Sequence, residues 1–172
     1  MALLESSLRK KREEIVVEHM ESENRHEFDV TMKTFEHPRY ELIPTGDVFD
    51  GVEEVDRYYE ETRTAFPDQR NELIKLYHAE DAVIIEAWLR GTHDGPYRGL
   101  QPTGKSFEMQ FTAIFDFEDD KLVCERVYFN PGTILEALGI ARSPLSLGGK
   151  LETVVAHPLT ISRSLLRRVI GR

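Results

Sequence analysis

The segment from Lys105 to Phe117 restricts the fold more than any other part of the chain. Along it Phe107, Met109, Phe111, Ala113, Phe115 and Phe117 alternate with Glu108, Gln110, Thr112 and Asp116, and only Ile114 breaks the pattern. A period of two puts the first set on one side of a β-strand and the second on the other. Glu118-Asp119-Asp120 then reads as a three-residue turn, and Lys121 to Asn130 runs back with Val123, Val127 and Phe129 opposed to Arg126, Tyr128 and Asn130. A hairpin closed this way pairs Glu108 with Asn130, Gln110 with Tyr128 and Thr112 with Arg126. Slipping the register by one residue would mix apolar with polar side chains on both faces. The expected product is one apolar face and one polar face carrying Glu108, Gln110, Thr112, Arg126, Tyr128 and Asn130.

The remaining elements fit around this hairpin. Ile15, Val16, His19, Phe28, Met32 and Phe35 recur at helical spacing between Leu8 and Phe35, with a bend expected near Asn24. Tyr40–Ile43 and Val48–Phe49 read as short strands around Pro44-Thr45-Gly46-Asp47. Val52, Val55, Tyr58, Tyr59 and Phe66 predict a second amphipathic helix, stopped by Pro67. Asn71–Ala79 and Ala82–Thr92 read as a hairpin, followed by a long Gly/Pro-rich loop from Gly91 to Gly104. Pro131-Gly132 ends the last strand, and Thr133–Leu138 predicts a short helix ended by Gly139. Helices first and strands later give an α+β domain with a mainly antiparallel sheet.

A chain of 172 residues suits one hydrophobic core, so residues 1–140 are read as one domain and 141–172 as an extension. Six of the 22 Lys and Arg but only one of the 31 Asp and Glu lie from Ala141 onward, so the body sits near −14 and the extension near +5. Such an acidic body argues against nucleic acid as the ligand, since phosphate contacts need a basic footprint. No apolar run approaches the roughly 20 residues that cross a bilayer. Met1 to Arg12 carries no secretion signal, and a cytoplasmic location is the expectation. The single Cys124 excludes an internal disulfide and a Cys-rich metal site. In the extension, Leu159–Ile170 reads as a basic amphipathic helix. Packing on the acidic body or on a second subunit explains it more simply than contact with a membrane surface.

Phe66-Pro67-Asp68, Arg90-Gly91-Thr92-His93-Asp94-Gly95, Gly99-Leu100-Gln101-Pro102-Thr103-Gly104-Lys105 and Glu125-Arg126-Val127-Tyr128-Phe129-Asn130, closing on Leu138-Gly139, stand in the order and spacing of the SnoaL-like polyketide cyclases. The resemblance covers roughly residues 10 to 140 and rests on the ordered combination of these motifs. It implies the fold shared with nuclear transport factor and ketosteroid isomerase: a curved sheet wrapped around N-terminal helices, with a cone-shaped pocket, commonly in a homodimer. It further implies a small-molecule ligand and ring closure by intramolecular aldol condensation without metal or cofactor. That chemistry needs a base to take a proton next to a carbonyl and an acid for the oxygen that becomes negative.

Where the family pattern carries an Asp, this chain has Asn130, whose amide can orient a carbonyl but cannot exchange a proton. Glu108, across the hairpin, is the nearest carboxylate to take over as base. Gln110 and Tyr128 are expected to face the same pocket, with Trp88 and Glu86 lining it from the neighbouring strand and His26 and Phe28 from the first helix. Asn130 also supports a second reading, a binding or scaffold protein that keeps the pocket without the chemistry. Epoxide hydrolysis on the same fold would need an Asp-Arg-Asp relay that the sequence does not display. His93, His78 and His37 read as structural histidines. His19, Glu23 and His26 share a helix face, but the two imidazoles stand about 10 Å apart along the axis, too far for one ion at roughly 2 Å from each ligand. No metal site is expected.

Overall fold

The computed structural model describes residues 2–163. In chain order they form α1 (Ala2–Asn24), α2 (Phe28–Met32), β1 (Arg39–Leu42), β2 (Asp47–Asp50), α3 (Val52–Ala65), β3 (Arg70–His78), β4 (Ala82–Thr92), β5 (Ser106–Glu118), β6 (Lys121–Tyr128), α4 (Pro131–Ala137) and α5 (Leu147–Ala156). The strands make one curved, unclosed sheet in the order β2-β1-β6-β5-β4-β3. Every pairing is antiparallel except that of β1 with β6, which is parallel.

The central hairpin has the predicted faces but a different register. Its turn is two residues, Asp119-Asp120, because Asp119 takes a left-handed conformation (φ 53°) that Asp tolerates better than most side chains. Glu118 therefore pairs with Lys121 and Phe117 with Leu122, and Val123 is then an extra residue in a bulge. Beyond it Asp116 pairs with Cys124, Ile114 with Arg126 and Thr112 with Tyr128. These pairs lie two residues from the expected ones, and an even displacement leaves each side chain on its predicted face. An odd displacement would turn the buried row of Phe107, Met109, Phe111, Phe115 and Phe117 into water. At roughly 1.5–3 kcal/mol per such side chain, that loss would match the stability of a whole domain, about 5–15 kcal/mol.

The helices cover this inner face. Val16 and Met20 of α1 and Val55 and Tyr59 of α3 pack on Phe111, Ala113, Phe115, Phe117 and Leu122, all buried. The predicted first helix breaks at residues 25–27, where His26 has a φ of 59°. Just before the break, the Asn24 amide imitates a strand neighbour: Asn71 N–H donates to its Oδ1 (2.6 Å) and its Nδ2 donates to Asn71 O (2.8 Å). The end of α1 is thereby fastened to the start of β3. Midway along α1, buried Arg12 donates from Nε to Asp119 O (2.6 Å) and from Nη1 to Glu80 O (2.8 Å), holding both hairpin turns.

Two devices shape the open end of the sheet. Asp68 accepts from Thr92 N–H (2.6 Å) and from the Thr92 hydroxyl (2.7 Å), closing the end of β4. The Gly-rich loop then docks on the end of α3, with Asp94 and Gly95 N–H groups donating to Ala65 O. The backbones approach so closely that a Cβ on Gly95 would lie 1.9 Å from Thr64 O, a position only glycine can occupy. His93 is a structural histidine here: its Nδ1 meets Thr103 Oγ1 (3.2 Å) and its ring packs on Phe66.

In the extension, α5 and a helical stretch at 158–163 precede the end of the described segment. The expected basic helix Leu159–Ile170 lies outside the described residues from 164 onward.

Candidate active site

Between the helices and the inner face of the sheet lies a cavity of about 80 Å³ that opens to solvent. Its walls come from Leu89 on β4, Phe107, Met109 and Phe111 on β5, and Val127 and Phe129 on and after β6. Tyr58 and Thr62 of α3, Tyr97 of the Gly-rich loop and Ile134 of α4 complete the enclosure. Into this apolar surround project two carboxylates, Glu23 from α1 and Glu125 from β6.

Glu125 sits on the inner face because it shares the parity of Val127 and Phe129. Its strand neighbours are Tyr40 on β1 and Phe115 on β5, both buried. Glu125 Oε2 approaches His19 Nε2 to 3.1 Å without hydrogen-bond alignment, and this buried oxygen has no hydrogen-bond partner among the described residues. Such an orphan oxygen is worth about 1–3 kcal/mol of destabilisation. Burial raises the Glu125 carboxyl above its ordinary value of 4.5, against the opposing pull of His19.

The hydrogen bonds around His19 assign its tautomer. The Thr34 hydroxyl donates to Thr31 O (2.6 Å), so it accepts from His19 Nδ1 at 2.9 Å. With the proton on Nδ1, neutral His19 presents a lone pair at Nε2, which takes the Tyr40 hydroxyl at 2.6 Å. Glu125 would then oppose one lone pair with another unless a proton lies on the carboxyl or on the ring, so the pair favours holding one. Burial opposes charge on His19, but Glu125 and Glu23 outweigh it and raise the imidazole above 6.5.

Tyr40 links the pair to the rest of the site. Its hydroxyl contacts that of Tyr59 and lies 3.4 Å from Glu23 Oε1, and Asn71 Nδ2 donates to Glu23 Oε2 (2.6 Å). Burial raises the Tyr40 and Tyr59 phenols well above 10, followed by the nearby carboxylates, so both remain protonated donors. The Tyr58 phenol, raised by burial as well, lines the cavity and makes no side-chain hydrogen bond among the described residues. Glu125 and the phenols of Tyr40 and Tyr58 thus face one apolar space, with His19 buried behind them, an arrangement that suits enolisation of a carbonyl compound.

The sequence-predicted site residues lie elsewhere. Glu108, Gln110, Tyr128, Trp88 and Glu86 occupy the outer face of the sheet, away from the helices, where Trp88 pairs with Gln110 and Glu86 with Thr112. Glu108 is exposed and accepts from Arg90 Nε (2.5 Å), whose guanidinium also binds Glu72 and lies over the Trp88 ring. Glu86 accepts from the Tyr77 hydroxyl (3.0 Å). Asn130 follows β6 and caps α4, its Oδ1 accepting from Gly132 N–H (3.0 Å) ahead of Pro131 at the first helical turn. His26 is exposed and stacks on Phe28, which stacks on Tyr59 (ring centroids 4.5 Å apart) as part of the helix packing. The helices cover the apolar face of β5, so the enclosed cavity is on that face, while Glu86, Gln110, Tyr128 and Asn130 border an open hollow on the other side. Glu125 was missed, although its parity with Val127 and Phe129 was a readable signal.

A curved six-stranded sheet with helices over its inner face and a cavity between them defines the nuclear-transport-factor-like and ketosteroid-isomerase-like class. The profile of the family described as SnoaL-like polyketide cyclase matches residues 14–138, and the chain belongs to that family. No curated protein matches the chain. Among solved structures it is similar to a candidate SnoaL-like polyketide cyclase from Jannaschia sp. CCS1 (19% identity, 78% of this chain and 94% of that one, TM-score 0.69). It is also similar to AclR, a candidate hydroxylase from Streptomyces galilaeus (22%, 77% and 98%, TM-score 0.67). A third is IdmH, a candidate polyketide cyclase from Streptomyces antibioticus (23%, 74% and 98%, TM-score 0.63). At these identities the likeness is one of fold.

Proposed function

We propose that the protein binds an apolar, oxygenated small molecule in the inner cavity and catalyses a cyclase- or isomerase-type proton transfer next to a carbonyl, with Glu125 as the acid-base group. The observation that carries this reading is the buried Glu125 oxygen, unpartnered by any hydrogen bond and 3.1 Å from His19 Nε2, on the wall of an apolar cavity. As carboxylate, Glu125 takes the proton alpha to the substrate carbonyl. His19 shares that proton and lets the carboxyl return it, to the alkoxide oxygen formed when the enolate carbon closes the ring, or to another carbon of the enolate in an isomerisation. Tyr58, whose hydroxyl makes no side-chain hydrogen bond among the described residues, donates toward the oxygen that gains negative charge, while Tyr40 holds His19. Family membership supports the same class of reaction. Asn130 no longer argues for a site without chemistry, since its amide is engaged in capping α4.

The test is turnover of a panel of polyketide esters and enolisable ketones by the wild-type protein and by Glu125→Gln. Loss of general acid-base catalysis lowers kcat by about 10²–10⁴-fold, while Glu108→Gln leaves it unchanged. Equal activity of Glu125→Gln and wild type would overturn the assignment. Tight ligand binding without turnover by either would establish a binding protein instead.

A further inference from the structure

The C-terminal extension carries an apolar surface of a different kind. Leu147, Leu151, Val154 and Val155 stand at i, i+4, i+7 and i+8, one arc of α5. They are 88%, 66%, 48% and 72% exposed, and Leu145 (83%) and Leu159 (73%) extend the surface at either end. The opposite side of the helix is small. Gly149 is buried against the Ser143-Pro144 backbone, where a Cβ would lie 2.0 Å from Ser143 O. Gly149 N–H also donates to the Ser146 hydroxyl that caps the helix (3.0 Å). The turn thus holds α5 by its small side and presents its large aliphatic side to solvent, the reverse of a helix packed on a core.

Charge indicates what covers that face. Arg142, Lys150 and Arg163 are exposed around it, and Arg167, Arg168 and Arg172 follow in the sequence, against the single acid Glu152. No aromatic residue occurs after Ala141. Aliphatic side chains flanked by bases need no matching groove when the partner is a headgroup layer.

We propose that α5 and the basic residues around it form a docking surface for an anionic lipid bilayer, with the helix lying along the interface. The charge of −14 on residues 1–140 does not forbid this, because repulsion is screened over about 8 Å at physiological salt.

Flotation of the full-length protein with vesicles tests the proposal. Binding is expected to vesicles containing phosphatidylserine and not to phosphatidylcholine alone, and it should fall as salt is raised. Leu147→Gln/Leu151→Gln/Val155→Gln should weaken binding more than tenfold, and Lys150→Ala roughly fivefold. All four side chains are exposed, so circular dichroism should be unchanged. Absence of binding to anionic vesicles, or binding that neither variant weakens, would overturn the proposal. So would light scattering that shows a dimer dissociated by the triple variant, which would assign the surface to a second copy of the chain.

Discussion

The two faces of the sheet spend their charged residues in opposite ways. On the outer face Glu72, Arg90 and Glu108 pair with one another in water, and Asp116 accepts from Arg126 Nη2 (2.6 Å), although Arg126 Nε is buried without a hydrogen-bond partner among the described residues. On the inner face Glu23, Glu125 and His19 sit among aromatic rings, and one Glu125 oxygen lacks a hydrogen bond. Outer-face charges interact through solvent and contribute little individually. On the inner face Glu125 and His19 have raised proton affinities, Glu125 through burial and His19, against its own burial, through the neighbouring carboxylates that outweigh it. A face crowded with polar side chains is therefore a poor guide to the reactive one.

Substitutions can break this contrast in order of effect. The kcat loss expected for Glu125→Gln, set against none for Glu108→Gln, is the largest difference between the faces. For stability, Phe115→Ala should cost about 3–5 kcal/mol in urea unfolding, whereas Tyr128→Ala, half exposed on the outer face, should cost no more than roughly 0.5 kcal/mol. Tyr40→Phe removes the donor to His19 Nε2 and should destabilise by about 1–3 kcal/mol. Equal stability of that variant and wild type would show that the inner network is hydrated or rearranged. Arg90→Ala breaks an exposed outer network and should change stability by about 0–1 kcal/mol.

The inner pair also gives stability a sign in pH. Native Glu125 and His19 both hold protons more tightly than their ordinary values of 4.5 and 6.5. Between each ordinary value and its raised native counterpart, the folded state binds more protons than the unfolded state, so stability falls as pH rises. The contribution is complete below the ordinary value and lost above the native one. Thermal unfolding from pH 5 upward should show this decline, and Glu125→Gln should flatten it.

Much of the fold was legible because it depends on local period. Alternation along Lys105–Phe117 predicts the strand, and Pro67 and Pro131 mark the ends of α3 and the start of α4. The Val123 bulge was not legible, since it depends on Asp119 adopting a left-handed turn. Nor did the pattern say which face the helices would cover, and the polar face was read as the wall of the cavity that they enclose on the other side. Glu125 shares the parity of Val127 and Phe129, which puts it on the apolar face, but the sequence does not show what it meets there. Its burial is set by His19 on α1 and Tyr40 on β1, contacts between segments far apart in the chain. The outward aliphatic face of α5 depends on Gly149 lying against Ser143, a short-range contact with no periodic signature.

The central claim is that the inner face holds a carboxyl with raised proton affinity. Carboxyl-carbon NMR titration of glutamate-labelled protein, compared with Glu125→Gln, tests it most directly and without a substrate. One resonance should titrate above 4.5 and be missing from the variant. If the resonance lost on substitution instead titrates near 4.5, Glu125 is an ordinary solvated carboxylate and the account of the site is wrong.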